Sequence, residues 1–234
     1  MQRSWDNLQL LLQSAFVRGY NVVCVQKPAS RQDLSLQKVT THPAFQPVAP
    51  EGTWTRQPRV VTYVNLAKEG VRFEKRATTI EHPDIVAVDI TKQGRTVSII
   101  NLYNAGMQSH RHGEALQLLI GSRPSKDWVV VGDFNLHHCS WDPRCRTQDA
   151  AADDLLDWLE DRRGHILNDT EEPTHQSGSI IDLAIVSQGA FLRGATSRVD
   201  DSLATGSDHA TITVAVPLRG QAKGDDQKAG RFNI

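Results

Sequence analysis

Cysteine, a dominant sign of charge and long apolar runs are all scarce in this sequence, and each shortage removes a class of protein. Three cysteines in 234 residues, Cys24, Cys139 and Cys145, are an odd count with no framework spacing. That excludes a disulfide-stapled secreted scaffold and suits a reducing compartment. No stretch approaches the length of a membrane span, and the apolar patch at residues 8–12 is too short and wrongly flanked for a signal peptide. Lys and Arg total 26 against 27 Asp and Glu, a formal net charge of −1. Such a balance argues neither for nor against nucleic acid. Arg56, Arg59, Arg72, Lys75 and Arg76 are scattered through the middle and read as solvated strand edges. No internal repeat is present. The expectation is a soluble intracellular protein, nuclear or cytoplasmic, with no membrane partner.

Length and composition allow one large α/β domain with a full core or two small domains: 39% of residues are hydrophobic and 23% charged. Leu8, Leu11, Leu12, Ala15 and Phe16 recur at helical spacing, which predicts a helix over 4–18 closed by Gly19. A buried strand is expected at 22–26. Residues 28–57, rich in Pro, Thr and Gln, read as a long excursion with one short strand. Strands follow at 59–66, near 78–80, at 85–91 and at 96–103, with Gln93-Gly94 as a hairpin turn between the last two. Helices are expected at 114–120 and 150–161, the second stopped by Gly164. Further strands are expected at 128–132, 165–168, 180–187 and 211–216. Strands joined partly by hairpins and partly by helical crossovers suggest a two-sheet α/β sandwich. The domain is expected to span 1–217, with 218–234 a polar linker or tail.

Chemistry concentrates where apolar strands run out. Gly132-Asp133-Phe134-Asn135 ends the run Trp128-Val-Val-Val, and in extended backbone Asp133 and Asn135 would share one side while Phe134 packs the other way. An Asp-Phe-Asn turn can also be ordinary turn chemistry. Asp182 lies inside the apolar strand Ile180-Ile-Asp-Leu-Ala-Ile-Val, where an unpaired charge is expensive. Ser207-Asp208-His209 opens another apolar strand, and a histidine oriented by a carboxylate is a recurrent catalytic unit. His137, His138, Cys139, Asp142 and Cys145 do not match the spacing of a zinc finger or ribbon and read as a rim loop. Trp141 reads as packed on its own domain, and His137, His138 and His175 as surface residues.

In this order Gly132-Asp133-Phe134-Asn135, Ile181-Asp182-Leu183 and Ser207-Asp208-His209 resemble the endonuclease/exonuclease/phosphatase superfamily, and most closely the endonuclease domain of LINE-type (non-LTR) retrotransposons, particularly fungal ones. Asn101-Leu-Tyr103-Asn104, Pro173-Thr174 and Val22-Val-Cys-Val-Gln26 add to the match, which covers roughly residues 3–217. The resemblance implies a four-layered α/β sandwich with two mixed β-sheets flanked by helices. It implies a Mg²⁺- or Mn²⁺-dependent phosphodiester hydrolase that nicks target DNA, attached to a reverse transcriptase in the parent polyprotein. By the same resemblance His209 faces the scissile phosphate and Asp182 holds its ring. Asp133 orients or deprotonates water, Asn135 donates to a phosphate oxygen, and Tyr103 hydrogen-bonds the phosphate. Asp208 is a metal carboxylate, while Thr174 and Ser207 lie on the substrate side.

Two departures accompany the match. The family's Gln-Glu-Pro, whose Glu is a metal ligand, reads Gln26-Lys27-Pro28 here, and the family's first strand, with an Asn near the phosphate, is lacking ahead of the first helix. Mg²⁺ relies on carboxylates, so an ammonium in that place implies weakened binding. An ammonium 4 Å from a phosphate oxygen supplies about 4 kcal/mol of attraction at an effective dielectric of ~20, but it cannot acidify water as a metal does. Three functions follow: an impaired DNA endonuclease, a catalytically dead binding module of the same fold, or a phosphatase of the superfamily acting on another phosphate ester.

Overall fold

The computed structural model describes residues 4–33, 36–50, 58–75, 82–106, 109, 112–203, 206–218 and 231–233. Helix α1 (Trp5–Val17) is capped by Ser4, whose hydroxyl accepts from Asn7 N–H, and it buries Leu8, Leu12 and Ala15. Strands β1 (Val22–Gln26), β2 (Ser30–Asp33), β3 (Leu36–Val39), β4 (Phe45–Val48), β5 (Val60–Asn65) and β6 (Val71–Lys75) follow. Next come β7 (Ile85–Lys92), β8 (Arg95–Tyr103), α2 (Glu114–Gly121), β9 (Trp128–Asp133) and α3 (Ala150–Arg162). The chain continues through β10 (Gly164–Ile166), β11 (Asp182–Ser187), α4 (Gln188–Leu192), β12 (Thr196–Val199), β13 (Ile212–Pro217) and β14 (Arg231–Asn233).

Six strands form one sheet in the order β10-β11-β9-β8-β7-β6, antiparallel except for the β8–β9 pair. Its central strands β8, β9 and β11 are buried on both faces, which is the pattern of a sheet covered on both sides. Trp128, Val130, Leu183 and Ile185 face one way, into a core shared with Leu116 and Leu119 of α2 and Leu155 and Leu159 of α3. Val129, Val131, Ala184 and Val186 face the other way, into a core shared with Val22, Val60 and Val64 and with Val214 and Val216. Beyond that second core lie β1-β5-β4 and β12-β13-β14, two three-stranded antiparallel sheets. Val23, Val25, Val61 and Tyr63 on the far side of the first of these meet Leu8 and Leu12 of α1. Helices, sheet, sheet and helix are the four layers the motifs imply.

Several expectations need correction. One sheet is mixed, whereas the opposite layer is antiparallel and comes in two pieces. The excursion at 28–57 holds β2, β3 and β4 instead of one strand. Residues 78–80 lie outside the described residues, and the strand in that region is β6. The strands expected from 165 and 180 begin at Gly164 and Asp182, and α4, β12 and β14 had no expectation at all. Within the segment read as a polar tail, Arg231–Asn233 pairs with Ala215–Pro217. Among the described residues no strand precedes α1, and no helix is long and apolar enough to cross a membrane.

Candidate active site

The face of the large sheet that is apolar core along its length becomes polar at its end. Residues 129 and 131 of β9 point between the sheets, and so does Asp133 two residues on. Antiparallel pairing sets Asp182 opposite Asp133, and parallel pairing sets Tyr103 beside it. Gly132 permits this convergence, because a Cβ there would come within 1.8 Å of the Leu102 carbonyl oxygen. Behind the carboxylates, buried Asn101 ties the layers together: it accepts from Gln26 Nε2 at 2.8 Å and donates to the Val61 carbonyl at 3.1 Å.

His209 does not open β13. It forms an isolated bridge with His175, three residues before that strand begins. Its Nδ1 lies 2.9 and 3.1 Å from the two Asp182 oxygens, and its Nε2 lies 3.9 Å from Asp133 Oδ2. An Nδ1–H held by Asp182 fixes the tautomer and turns Nε2 outward. Burial pulls the His209 imidazolium down, yet the bond and charge of Asp182, with Asp133, lift its pKa above the ordinary value. Asp133 is buried, and burial together with the Asp182 charge pushes its carboxyl up to about 6, against His209, Lys27 and the Asn135 N–H.

Lys27 follows β1 in a left-handed conformation, φ 49°, with its N–H on the Arg59 carbonyl. Its Nζ is 3.5 Å from Asp133 Oδ2 and 4.8 Å from the centre of the Tyr103 ring. Arg59, read from sequence as a strand-edge cation, lies over the same ring at 4.6 Å and pairs with buried Asp84. The signal that could have found it was the buried carboxylate on the same face, a long-range fact invisible in the local sequence.

Asn135 departs from the extended geometry expected of it. With φ 47° it leaves the strand, donates its N–H to Asp133 Oδ1 and its Nδ2 to the Asn104 carbonyl at 2.6 Å. It therefore braces the turn and Asp133, while Phe134 packs into the helix-side core. Thr174 is fully buried behind Asp182, where its hydroxyl accepts the N–H groups of Ile181 and Asp182, both at 3.0 Å. That position corrects its placement on the substrate side. Ser207 accepts the His209 N–H and so shapes the turn. His175 faces the site: its Nε2 is 3.7 Å from Asp208 Oδ2 and its ring meets that of His209 edge-on. His138 is buried against Trp141, itself buried as expected, and the three cysteines are free.

A family model described as endonuclease-reverse transcriptase matches residues 97–213, the stretch that carries Tyr103, Asp133, Asp182, Asp208 and His209. The chain belongs to this endonuclease/exonuclease/phosphatase family. Among solved structures it is similar to the endonuclease domain of TRAS1, a telomere-specific non-LTR retrotransposon, at 18% identity and a TM-score of 0.72, covering 92% of this chain and 94% of that one. It is also similar to the AP endonuclease LMAP from Leishmania major, at 11% identity and TM-score 0.64, covering 88% and 81%. An endonuclease/exonuclease/phosphatase family protein from Leptotrichia buccalis matches at 12% identity and TM-score 0.57, covering 93% and 95%. No curated protein matches the chain.

Divalent cations are the typical helpers of this family's nucleases, and two groups of side chains here bring ligand atoms within 4.8 Å of one another: Asp133, Asp182 and His209, and His175, Asp208 and His209. The first fits a divalent ion poorly, since the Lys27 ammonium already faces Asp133 and His209 takes both Asp182 oxygens. The second fits better. The Asp208 side chain is 51% exposed, its carboxyl is held below the usual range (burial opposes, while a backbone N–H and the nearby histidines dominate), and His209 Nε2 is free of Asp182.

Proposed function

We propose that this chain is a phosphodiester hydrolase that nicks duplex DNA, slowed by Lys27 in the place where the family carries a metal-binding glutamate. The observation that carries this reading is the line Asp182–His209–Asp133, with the Lys27 ammonium at its open end. His209, whose imidazolium is favoured and fixed by Asp182, offers Nε2–H to a phosphate oxygen. Asp133, with a carboxyl titrating at about 6, is ionised at neutral pH and can hold or accept a proton from the attacking water. Asn135 keeps Asp133 in position, and Tyr103 with Lys27 and Arg59 forms a cationic wall for phosphate. Asp208, with His175, would hold a divalent cation, whose chemistry would be charge neutralisation at the phosphate. An imidazole beside the carboxylate favours Mn²⁺ over Mg²⁺.

The match to an endonuclease-reverse transcriptase model and the likeness to a retrotransposon endonuclease domain support DNA as substrate and a reverse transcriptase as the companion domain in the parent polyprotein. A second reading, DNA binding without cutting, draws on the Lys27–Asp133 contact, which neutralises the group that would act on water. Plasmid nicking in Mn²⁺ separates them. Cutting that His209→Ala and Asp133→Asn both abolish supports the hydrolase; binding with no cutting at any metal concentration supports the second reading.

A further inference from the structure

His175 and His209 form an isolated antiparallel bridge beside the catalytic line. The bonds that close it run from the Gln176 N–H to the Asp208 carbonyl and from the Ala210 N–H to the Thr174 carbonyl, both at 2.8 Å. With those bonds flanking the histidines, the two occupy the non-hydrogen-bonded kind of pair, in which facing side chains come closest. Their ring centres are 4.8 Å apart, and His175 Nε2 lies 3.7 Å from Asp208 Oδ2. His175, Asp208 and His209 each offer a ligand atom, all within 4.8 Å of one another.

Both rings have a partner on Nδ1, which leaves Nε2 for a ligand. Asp182 holds the Nδ1 of His209 at 2.9 Å. Ser177 Oγ lies 2.7 Å from the Nδ1 of His175 and donates its own hydrogen to Ser179 Oγ at 3.1 Å, so it can accept an Nδ1–H. Metal binding at His175 Nε2 would trade the 3.2 Å contact from the Ser177 N–H to Nδ1 for that bond. An imidazole whose far N–H is taken by an oxygen acceptor is the usual arrangement of a metal-bound histidine, because the second bond fixes tautomer and ring direction.

We propose that His175, Asp208 and His209 form a three-ligand Zn²⁺ site that competes with phosphate for His209 Nε2. Two imidazoles and a carboxylate, with water as fourth ligand, make a tetrahedral zinc set. Zinc bonds of about 2.0–2.1 Å place ligand atoms roughly 3.4 Å apart, close to the 3.7 Å between His175 and Asp208. Affinity at nitrogen and oxygen donors rises from Mn²⁺ to Zn²⁺. A divalent cation on Asp208 and His175 alone leaves His209 to the phosphate. Zn²⁺ takes His209 as well, and the Nε2 proton goes to solvent, so zinc and phosphate exclude each other there. The competition rests on the hydrolase reading; the zinc site does not.

Titration of the metal-free, full-length chain with zinc chloride tests this, read by chelator competition and histidine ring NMR. One equivalent should shift the ring signals of His175 and His209 together. His175→Phe and Asp208→Asn should each weaken zinc binding at least tenfold, with thermal unfolding to show that each variant is folded. Cys139→Ser with Cys145→Ser should bind zinc like the unmodified chain. Zinc that leaves both rings unmoved, or whose affinity falls only with the cysteines, overturns the proposal. Plasmid nicking in Mn²⁺ should fail at zinc concentrations that fill the site; undiminished nicking there overturns the competition. A chain that nicks DNA yet moves neither histidine with zinc loses the zinc site alone. One that binds zinc through both histidines but never nicks keeps the site and loses the hydrolase reading.

Discussion

Asp133 is the residue on which the electrostatics of the site converge. Burial and the Asp182 charge raise its pKa from 3.8 to about 6, while Lys27 works against them. Carboxyl-detected NMR should find a midpoint near 6 in the unmodified chain, and a higher one in Lys27→Met, because removing the ammonium removes a lowering charge. The same shift bears on stability. A carboxyl whose folded pKa is raised favours folding below its unfolded value, and that contribution is lost as pH rises through the folded one. Asp133→Asn should therefore stabilise the protein at pH 7 by about 1–3 kcal/mol, a few degrees in Tm. The gain should vanish near pH 4, where Asp133 is protonated in the fold; a gain independent of pH contradicts the assignment. Much at this scale was legible in advance: Asp133 and His209 stood out as polar residues at the ends of apolar strands and Asp182 as a carboxylate inside one, and the structure brings them together. Lys27 was legible as a departure, but its contact with Asp133 was not, since 106 positions of chain separate them. Asn135 misled because a one-residue switch to positive φ leaves no periodic trace.

Elements position these residues through backbone contacts. Thr174 is the clearest case, one hydroxyl receiving the two N–H groups at the entry to β11. Thr174→Val should cost about 1–3 kcal/mol in urea unfolding, because it strands buried donors. It should also weaken nicking through Asp182, whereas Thr174→Ser should restore both. A neutral Thr174→Val would place the anchoring of Asp182 elsewhere. The long strands β7, β8 and β9 and helices α1, α2 and α3 were readable because their apolar periodicity extends over several turns or pleats. β12 and α4, of four and five residues, are too short to establish a period. The division of the second layer into two sheets is a matter of pairing, which composition does not encode.

At the scale of the whole molecule, a formal charge of −1 means that DNA contact depends on a few cations. With Lys27 and Arg59 the two at the site, log K for duplex DNA should fall with log salt at a slope of about −2. Fluorescence anisotropy between roughly 50 and 200 mM salt measures it; a slope of about −6 or steeper would demand a basic face elsewhere. The four-layer architecture follows from ordered motifs spread over the chain, and it supplies the polar strand ends wherever those motifs fall.

The most direct test is nicking of supercoiled plasmid with Mg²⁺ or Mn²⁺ by the unmodified chain, Lys27→Glu, and Lys27→Glu with Asp133→Ala. Slow cutting by the first, faster cutting by the second and loss in the third is the expected result. Robust, EDTA-sensitive cutting by the unmodified chain that Lys27→Glu fails to increase would contradict the claim that Lys27 restrains an otherwise assembled nuclease site.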